Sequence, residues 1–363
     1  MVEKIMVNLG ERSYQIFISH NWLSSLGETM KSVGLSGKIL IVTNPKIKNL
    51  YGERVFESIK NSGFEADIFE IPDGEIFKNL DTVSKIYDYL IEKEYSRQGI
   101  LVALGGGVVG DITGFAAATY MRGIRFVQVP TSLIAMVDSS VGGKTGVNHP
   151  KEKNLIGSFH QPSLVFIDTI LLDTLPFDEF RGGLAEVVKH GIIKEKPFFD
   201  FLQDKMSRIL DIRKDEILRI VKTSCKIKRD VVEEDEKEKG IRAILNYGHT
   251  IGHAIESLTN FSEFKHGEAV AIGMMSASFI AKEMEILSEI ALQKIWALIK
   301  KIGLPYKISN NISPEDIILQ LNKDKKVKDG KVRFVLPTAI GKVTIRDDVP
   351  KEIIIKSLER IQQ

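Results

Sequence analysis

The sequence contains very little cysteine, since Cys225 is the single thiol among 363 residues. One cysteine cannot form an internal disulfide, which favours a reducing compartment, and we expect a cytoplasmic protein. The chain also lacks any run of about twenty apolar residues without charge, so no membrane span is predicted. Its first residues, Met1 to Lys4, do not have the pattern of a signal peptide.

The sequence also has little net charge, +2 at pH 7, with 50 basic residues against 48 acidic ones. This balance predicts neither a nucleic-acid nor a membrane partner, and any basic site must be local. The composition is otherwise typical of a soluble enzyme, with 43% hydrophobic and 27% charged residues. We find no internal repeat and no low-complexity tract, and the length is sufficient for two domains.

Strand and helix patterns alternate in the first half of the chain. Residues 1–20 alternate polar and apolar around Gly10-Glu11, as in a hairpin. Buried strands are then predicted at 38–43, 66–71, 100–104, 124–129 and 164–167, with a helix ending near Ser62 and another at 81–93. This order predicts a mostly parallel sheet with helices on its faces.

Helical patterns dominate after Leu175-Pro176, from Phe180 to about Lys301. A small hairpin at 332–336 and 342–345 and a last helix at 351–362 follow. We therefore predict two domains, an α/β domain at residues 1–175 and a mainly helical domain at residues 176–363.

A glycine-rich segment, Gly105 to Asp111, follows the predicted strand at 100–104 and opens a helix. Its glycines satisfy G-x-G-x-x-G, a pattern whose backbone N–H groups can bind a pyrophosphate at a helix N-terminus. The segment follows the third strand rather than the first, and no acid ends the next strand about twenty residues on. A plain tight turn therefore remains the alternative.

Two further segments are candidate anion sites. The turn from Pro72 to Lys78 places an acid and a lysine at a strand end, although an ordinary β–α turn would look the same. Residues 137–146 resemble a Walker loop at their end, but its first glycine would fall at Asp138, which excludes an NTPase of that type. We interpret what remains as a flexible loop with Lys144, followed by Lys151, Lys153 and Asn154, which is either an anion site or solvated surface.

The chain's best metal-ligand set combines an acid with three of its seven histidines. Glu186 lies on an apolar helical segment, and His249, His253 and His266 follow, with the first two on one helical face. Imidazoles with one carboxylate suit a catalytic zinc ion that keeps an open position. Glycines beside the histidines (Gly248, Gly252 and Gly267) indicate close backbone approach. The spacing does not decide which three side chains ligate, and buried histidines in a core are the alternative.

Together these segments resemble the 3-dehydroquinate synthases, members of the sugar-phosphate cyclase group. The resemblance rests on Leu-Gly-Gly-Gly-Val-Val-Gly-Asp at 104–111, Gly-Leu-Ala-Glu-Val-Val-Lys-His-Gly at 183–191, Asn-Tyr-Gly-His-Thr-Ile-Gly-His at 246–253, and residues 128–146, 153–162 and 266–270. It runs in register over nearly the whole chain. It implies a Rossmann-like, NAD-binding α/β domain followed by an all-helical, metal-binding C-terminal domain.

The resemblance also implies a phosphorus–oxygen lyase that uses NAD and Zn²⁺ or Co²⁺. Its substrate would be 3-deoxy-D-arabino-heptulosonate 7-phosphate, and its products 3-dehydroquinate and phosphate, in the shikimate pathway to chorismate and the aromatic amino acids. The implied steps are transient oxidation at C5, phosphate elimination, re-reduction, ring opening and intramolecular aldol closure.

The resemblance assigns roles residue by residue. It places the metal on Glu186, His249 and His266, and gives His253 a proton-handling or substrate-contacting role. The implied NAD contacts are Asn44, Asp73, Gly74, Glu75, Lys78, Gly106, Gly107, Gly110, Asp111, Thr131, Ser132, Lys144, Lys153, Leu171 and Thr174. The implied catalytic and substrate-binding residues are Asp138, Lys144, Lys153, Asn154, Lys189, Lys228, Arg242, Asn246, His253, Arg122 and Lys326, with Lys325 the alternative to the last. Asn44 stands where the family often has Asp, and Arg122 matches an arginine that reaches the neighbouring site of a homodimer.

Three rival functions remain open at this point. Another cyclase could act on a different sugar phosphate, and a metal-dependent alcohol or glycerol dehydrogenase would share the two-domain plan. Lys144, Lys153, Asn154 and Arg242 argue against the dehydrogenase, which needs no phosphate clamp. A non-catalytic NAD-binding regulator would require a broken metal set or lost lysines, and neither is seen.

Overall fold

The structure is a computed structural model that describes residues 2–259, 262–309, 311–323 and 332–362. The chain forms two compact units, of which the first comprises Met1–Leu175 and Ile217–Glu236 and the second Pro176–Glu216 and Lys237–Gln363. The sequence had predicted one continuous second domain from residue 176, and residues 217–236 lie instead in the first unit. No helix in the described part of the chain is long and apolar enough to cross a membrane.

A seven-stranded sheet forms the core of the first unit. Its strands are β1 (Glu3–Val7), β2 (Tyr14–Ser19), β3 (Ile39–Thr43), β4 (Ala66–Glu70), β5 (Ile100–Gly105), β6 (Arg125–Pro130) and β9 (Leu164–Asp168), and β7 (Lys144–His149) and β8 (Glu152–Phe159) form a separate hairpin. The helices of this part are α1 (Leu26–Ser32), α2 (Pro45–Ile47), α3 (Glu53–Asn61), α4 (Leu80–Glu92) and α5 (Gly107–Thr119).

The sheet order is β1-β2-β9-β6-β5-β3-β4. Only β1 and β2 pair antiparallel, and every other neighbouring pair is parallel. Strands β3, β5 and β9 are buried throughout, as expected for strands covered on both faces. The predicted mostly parallel sheet is confirmed.

The hairpin of β7 and β8 corrects the sequence prediction, which had a flexible loop at this place. Lys144 is the first residue of β7, and every residue of β8 is exposed or half-buried. The hairpin lies against α5, where a β-carbon on Gly114 would overlap Thr145. The sequence pattern was obscured because exposed lysines and glycines occupy positions that usually mark a loop.

The second unit is helical, with one small hairpin. Its elements are α6 (Phe177–Ile193), α7 (Lys196–Leu210), α9 (His249–Leu258), α10 (His266–Glu283), α11 (Glu289–Ile302), α12 (Pro314–Lys323), β10 (Phe334–Ala339), β11 (Lys342–Arg346) and α13 (Lys351–Gln362). Helix α8 (Lys214–Glu234) begins in this unit and continues in the first from Ile217. The predicted hairpin and last helix are confirmed.

Candidate functional site

Three helices of the second unit bring an acid and two imidazoles together. Glu186 lies in the middle of α6, whereas His249 and His266 are the first residues of α9 and α10. Oε1 of Glu186 lies 3.7 Å from Nε2 of His249 and 4.0 Å from Nε2 of His266. These three side chains are close enough to one another to hold a single metal ion.

Glycines allow the backbones of these helices to approach. A β-carbon on Gly267 would overlap the carbonyl oxygen of Gly182 in α6, and one on Gly273 would overlap that of Gly248. A β-carbon on Gly252 would lie 3.0 Å from the carbonyl oxygen of Ala269. Side chains at these positions would push α6, α9 and α10 apart, so the glycines set the ligand spacing. The close approach predicted from these glycines is confirmed.

The carboxylate of Glu186 is fully buried, and its two oxygens have different surroundings. Oε2 forms an ion pair with the ammonium of Lys189, one turn further along α6. Oε1 makes no hydrogen bond with any residue that the structure describes. Leaving a buried carboxylate oxygen without a donor is costly, whereas a cation facing both imidazoles would satisfy it. The donor set therefore fits a Zn²⁺ or Co²⁺ ion with open positions.

A second acid lies beside this set. Glu256 of α9 is buried, and its Oε2 lies 3.3 Å from Nδ1 of His266. His253, Glu256 and His266 form a second group that is close enough to bind an ion. Sequence reasoning missed Glu256. A usable signal was present, because Glu256 is a single acid on the apolar side of a short helix and follows His253 by three residues.

The remaining candidates of the second unit lie among buried polar groups. Lys189 and Arg242 are each 1% exposed, and long cations are rarely so buried without partners. His253 lies next to the metal candidates, with its ring centroid 5.3 Å from that of His249 and 6.0 Å from that of His266. Asn246 donates a 2.8 Å hydrogen bond to Glu238. Lys325 and Lys326 lie outside the described residues.

In the first unit, the glycine-rich segment lies at the carboxyl edge of the parallel sheet. Strand β5 ends at Gly105, and α5 begins two residues later, so the predicted strand–turn–helix is confirmed. A β-carbon on Gly105 would overlap Val109, and one on Gly110 would lie 2.8 Å from Oε1 of Gln128. The backbone N–H of Thr131 donates to the carbonyl of Gly105 at 3.0 Å, which brings the residues after β6 to the same edge. This edge is where α/β sheets bind nucleotides.

Lys78 is the centre of a polar network in the first unit. It is 5% exposed, and its ammonium donates to Asp111 at 2.6 Å and to Asn154 at 2.5 Å. Burial alone would lower the pKa of Lys78, but the charges of Asp111 and Glu75 outweigh it and raise that pKa above its ordinary value. Lys78 therefore carries its charge at neutral pH. Its ammonium links Asp111 to Asn154 and is also attracted to Glu75, and all three are predicted cofactor or substrate residues.

Asn44 has two partners at the end of β3. Its side-chain oxygen accepts from the N–H of Ile47 at 2.9 Å and so caps α2, while its amide donates to Asp73 at 2.8 Å. A carboxylate at this position would repel Asp73, whereas the amide holds it. The departure from the family's aspartate therefore has a local structural reason.

The other candidates of the first unit occupy three separate places. Lys228 of α8 forms an ion pair with Asp138 and also donates to its backbone oxygen at 2.6 Å. The hydroxyl of Tyr51 contacts both Leu171 and Thr174, in the 3₁₀ turn that follows β9. Arg122 is exposed and has a left-handed backbone, with φ of 68°.

Comparison with known proteins gives one consistent result. The family model of the 3-dehydroquinate synthase N-terminal domain matches residues 68–182, and that of the C-terminal domain matches residues 183–327. A 3-dehydroquinate synthase of Crocosphaera subtropica is 52% identical over 364 residues, which cover 100% of both chains.

Among the solved structures that are similar to this chain, two share the whole fold at a TM-score of 0.90. One is a 2-epi-5-epi-valiolone synthase from Streptomyces hygroscopicus with NAD⁺ and Zn²⁺ bound, at a TM-score of 0.90 and 28% identity, with 98% of each chain covered. The other is a 2-deoxy-scyllo-inosose synthase complexed with carbaglucose-6-phosphate, NAD⁺ and Co²⁺, at a TM-score of 0.90 and 27% identity, with 99% of this chain and 100% of that one covered.

Proposed function

The chain belongs to the 3-dehydroquinate synthase family, and from this premise we propose that it converts 3-deoxy-D-arabino-heptulosonate 7-phosphate to 3-dehydroquinate and phosphate. The structural observation that carries the proposal is the convergence of two imidazole Nε2 atoms on the buried Oε1 of Glu186. The cofactors are NAD and one divalent metal ion, Zn²⁺ or Co²⁺. The reaction belongs to the shikimate pathway.

We assign the metal to the second unit, on Glu186, His249 and His266, and the NAD to the carboxyl edge of the sheet in the first unit. When bound, NAD supplies a hydride acceptor that returns its hydride later, and the metal supplies a Lewis acid for neighbouring substrate oxygens. The N-terminus of α5 and the glycines before it would bind the pyrophosphate of NAD. Asp73, held by Asn44, is the acid available to a ribose hydroxyl.

The chain's own residues have three tasks beyond holding these cofactors. Lys144, Lys153 and Arg242 bind the phosphate and the carboxylate of the substrate, whose negative charges need fixed cations. Asp138, paired with Lys228, accepts a hydrogen bond from a substrate hydroxyl. His253, beside the metal candidates, holds or passes a proton at a substrate oxygen. Lys189, buried against Glu186, forms an ion pair with that carboxylate and holds it beside the metal ligands.

We also propose a cytoplasmic homodimer in which Arg122 reaches the substrate phosphate in the neighbouring subunit. Arg122 is exposed, and Met121, Arg122 and Gly123 all have positive φ. Left-handed backbone at two consecutive non-glycine residues costs free energy, and such strain concentrates at functional positions. This supports a role for Arg122 in binding rather than in folding.

A second candidate is a cyclase reaction on a different sugar phosphate, because two such enzymes share the whole fold. A substrate panel separates the two functions. The purified protein, loaded with NAD⁺ and Zn²⁺, is given the heptulosonate 7-phosphate and then other sugar 6- and 7-phosphates, and phosphate release is measured. We expect release from the heptulosonate 7-phosphate to exceed the others by orders of magnitude. Faster release from another sugar phosphate would reassign the protein to that cyclase reaction.

A further inference from the structure

Glu256 is a buried charged group next to the proposed metal site that the reaction above does not use. Its side chain is 6% exposed, and Oε2 lies 3.3 Å from Nδ1 of His266. We propose, on the basis of the function given above, that Glu256 is a positioning residue for the metal site. Its carboxylate accepts the Nδ1–H of His266 and so keeps Nε2 as the nitrogen that binds metal.

The first step of the argument is the choice of tautomer. A neutral imidazole carries its proton on one nitrogen, and the hydrogen bond made by that nitrogen decides which one it is. A carboxylate only accepts, so Nδ1 of His266 carries the proton. Its Nε2, which lies 4.0 Å from Oε1 of Glu186, is then the nitrogen with the lone pair that a metal ion can use. Such carboxylate–histidine–metal arrangements fix both ring orientation and ligand basicity.

The second step is a comparison with His249, which is held differently. Nδ1 of His249 lies 3.2 Å from the backbone oxygen of Tyr247, a neutral acceptor. The side chain of His249 is 10% exposed, whereas that of His266 is 36% exposed. The more exposed ring has less packing to fix it, and its Nδ1 lies beside a carboxylate rather than a backbone oxygen. The carboxylate of Glu256 therefore compensates for the weaker packing around His266.

The third step excludes a direct ligand role for Glu256. His253, Glu256 and His266 could hold an ion among themselves. An ion on Nδ1 of His266 would leave the proton on Nε2 and remove this imidazole from the set around Glu186. Oε1 of Glu186, which makes no hydrogen bond within the described chain, would then lose one of the two ligands beside it. If Glu256 instead positions His266, a single ion can bind Oε1 of Glu186 together with Nε2 of His249 and Nε2 of His266.

The test measures Co²⁺ binding to the metal-free, full-length protein, without substrate, in the wild type, Glu256→Gln and His253→Gln. Glutamine keeps the shape and an acceptor oxygen but removes the charge. We expect Glu256→Gln to raise the Kd for Co²⁺ by roughly 10- to 100-fold and to shift the visible absorption of the bound ion. His253→Gln is the matched control on the same helix, and it should keep the wild-type Kd and one ion per chain.

Two results would overturn the inference while leaving the metal set intact. One is a wild-type Kd and spectrum in Glu256→Gln, and the other is equal weakening in His253→Gln together with loss of a second ion per chain. If wild-type protein bound no Co²⁺, or if Glu186→Gln bound it normally, the proposed metal set itself would be wrong. NAD⁺ binding and the midpoint of thermal unfolding, measured for each variant, show whether that variant is folded. If Glu256→Gln does not fold, Glu256→Asp, which keeps the charge but shortens the reach, is expected to weaken Co²⁺ binding in the same way.

Discussion

At the scale of single residues, the neighbours of a buried group decide whether it is inert or poised for chemistry. The thiol of Cys225 is buried, and burial raises its pKa to about 12, so it is not a nucleophile at neutral pH. Lys78 is almost as buried, yet its pKa is raised because carboxylates surround it. Glu186 differs from both, because its Oε1 lies beside the Nε2 atoms of His249 and His266. A cation bound between these atoms would satisfy the buried oxygen.

Lys144 gives the simplest test of a substrate contact. It is exposed at the start of β7, so Lys144→Ala should leave folding intact. A charge-assisted hydrogen bond is worth about 1.5–3 kcal/mol, so we expect kcat/KM to fall roughly ten- to a hundredfold. Lys151→Ala, in the turn of the same hairpin, is the control and should keep full activity. Near-normal turnover in Lys144→Ala would remove Lys144 from the site.

His160 predicts part of the pH dependence of stability. Burial lowers the pKa of His160 below its ordinary value of 6.5, against the effect of its hydrogen bond to the carbonyl of Ile124. The unfolded chain therefore takes up this proton first as the pH falls, so this contribution to stability is present above pH 6.5 and is lost below it. Urea unfolding across this range should show a smaller pH dependence in His160→Gln than in the wild type. Parallel curves would contradict the prediction.

At the scale of elements, the metal set depends on how closely α6, α9 and α10 pack. Each ligand lies on a different helix, and two of them are the first residues of their helices. Lys265, which precedes His266, donates to Glu179 in the first turn of α6 at 2.6 Å and also contacts Asp178. The glycine contacts and this exposed ion-pair cluster together fix where α10 begins relative to α6.

Gly267 and Gly182 form a matched pair that tests this packing. Gly267→Ala would drive a methyl group into the backbone of α6, whereas a β-carbon on Gly182 meets no atom within 4 Å. We expect Gly267→Ala to destabilise the protein by about 1–3 kcal/mol and to weaken Zn²⁺ binding. Gly182→Ala should be neutral or stabilising by up to about 1 kcal/mol, because alanine favours the helix. Urea unfolding and zinc titration measure both effects, and equal behaviour of the two variants would refute the packing argument.

Much of this organisation could be predicted from the sequence, and the failures have physical causes. Buried strands such as Ile39–Thr43 are continuous apolar runs, so periodicity and turn residues predicted the sheet. The hairpin of β7 and β8 was missed because its residues are polar and glycine-rich. The metal-ligand spacing alone left His253 as a candidate, because a sequence shows a helix face but not where another helix crosses it. Glu256 was missed for the same reason, since its partner His266 lies on another helix.

At the scale of the whole molecule, the two units carry different parts of the proposed chemistry. Helix α8 begins in the second unit and supplies Lys228 to Asp138 in the first. A single boundary at residue 175 does not describe these two units, because the chain returns to the first unit for residues 217–236. Hydrophobic patterns identify a helix but do not show which core it joins.

The proposed homodimer predicts complementation between two inactive variants. If Arg122 acts in the neighbouring subunit, a mixed dimer of Arg122→Ala and Lys144→Ala has one site with both residues intact. Refolding an equal mixture should then recover about a quarter of wild-type activity, since half of the dimers are mixed and each has one intact site. Either variant refolded alone is the control. No recovery in mixtures shown to contain mixed dimers would place Arg122 outside the partner's site.

The central claim is that one protein oxidises and re-reduces its substrate while it eliminates phosphate. Phosphate release from 3-deoxy-D-arabino-heptulosonate 7-phosphate tests it most directly, with NAD⁺, before and after chelation and with Zn²⁺ or Co²⁺ added back. We predict release that requires both NAD⁺ and metal, with no net formation of NADH. Steady accumulation of NADH, or phosphate release that continues without metal, would contradict the account.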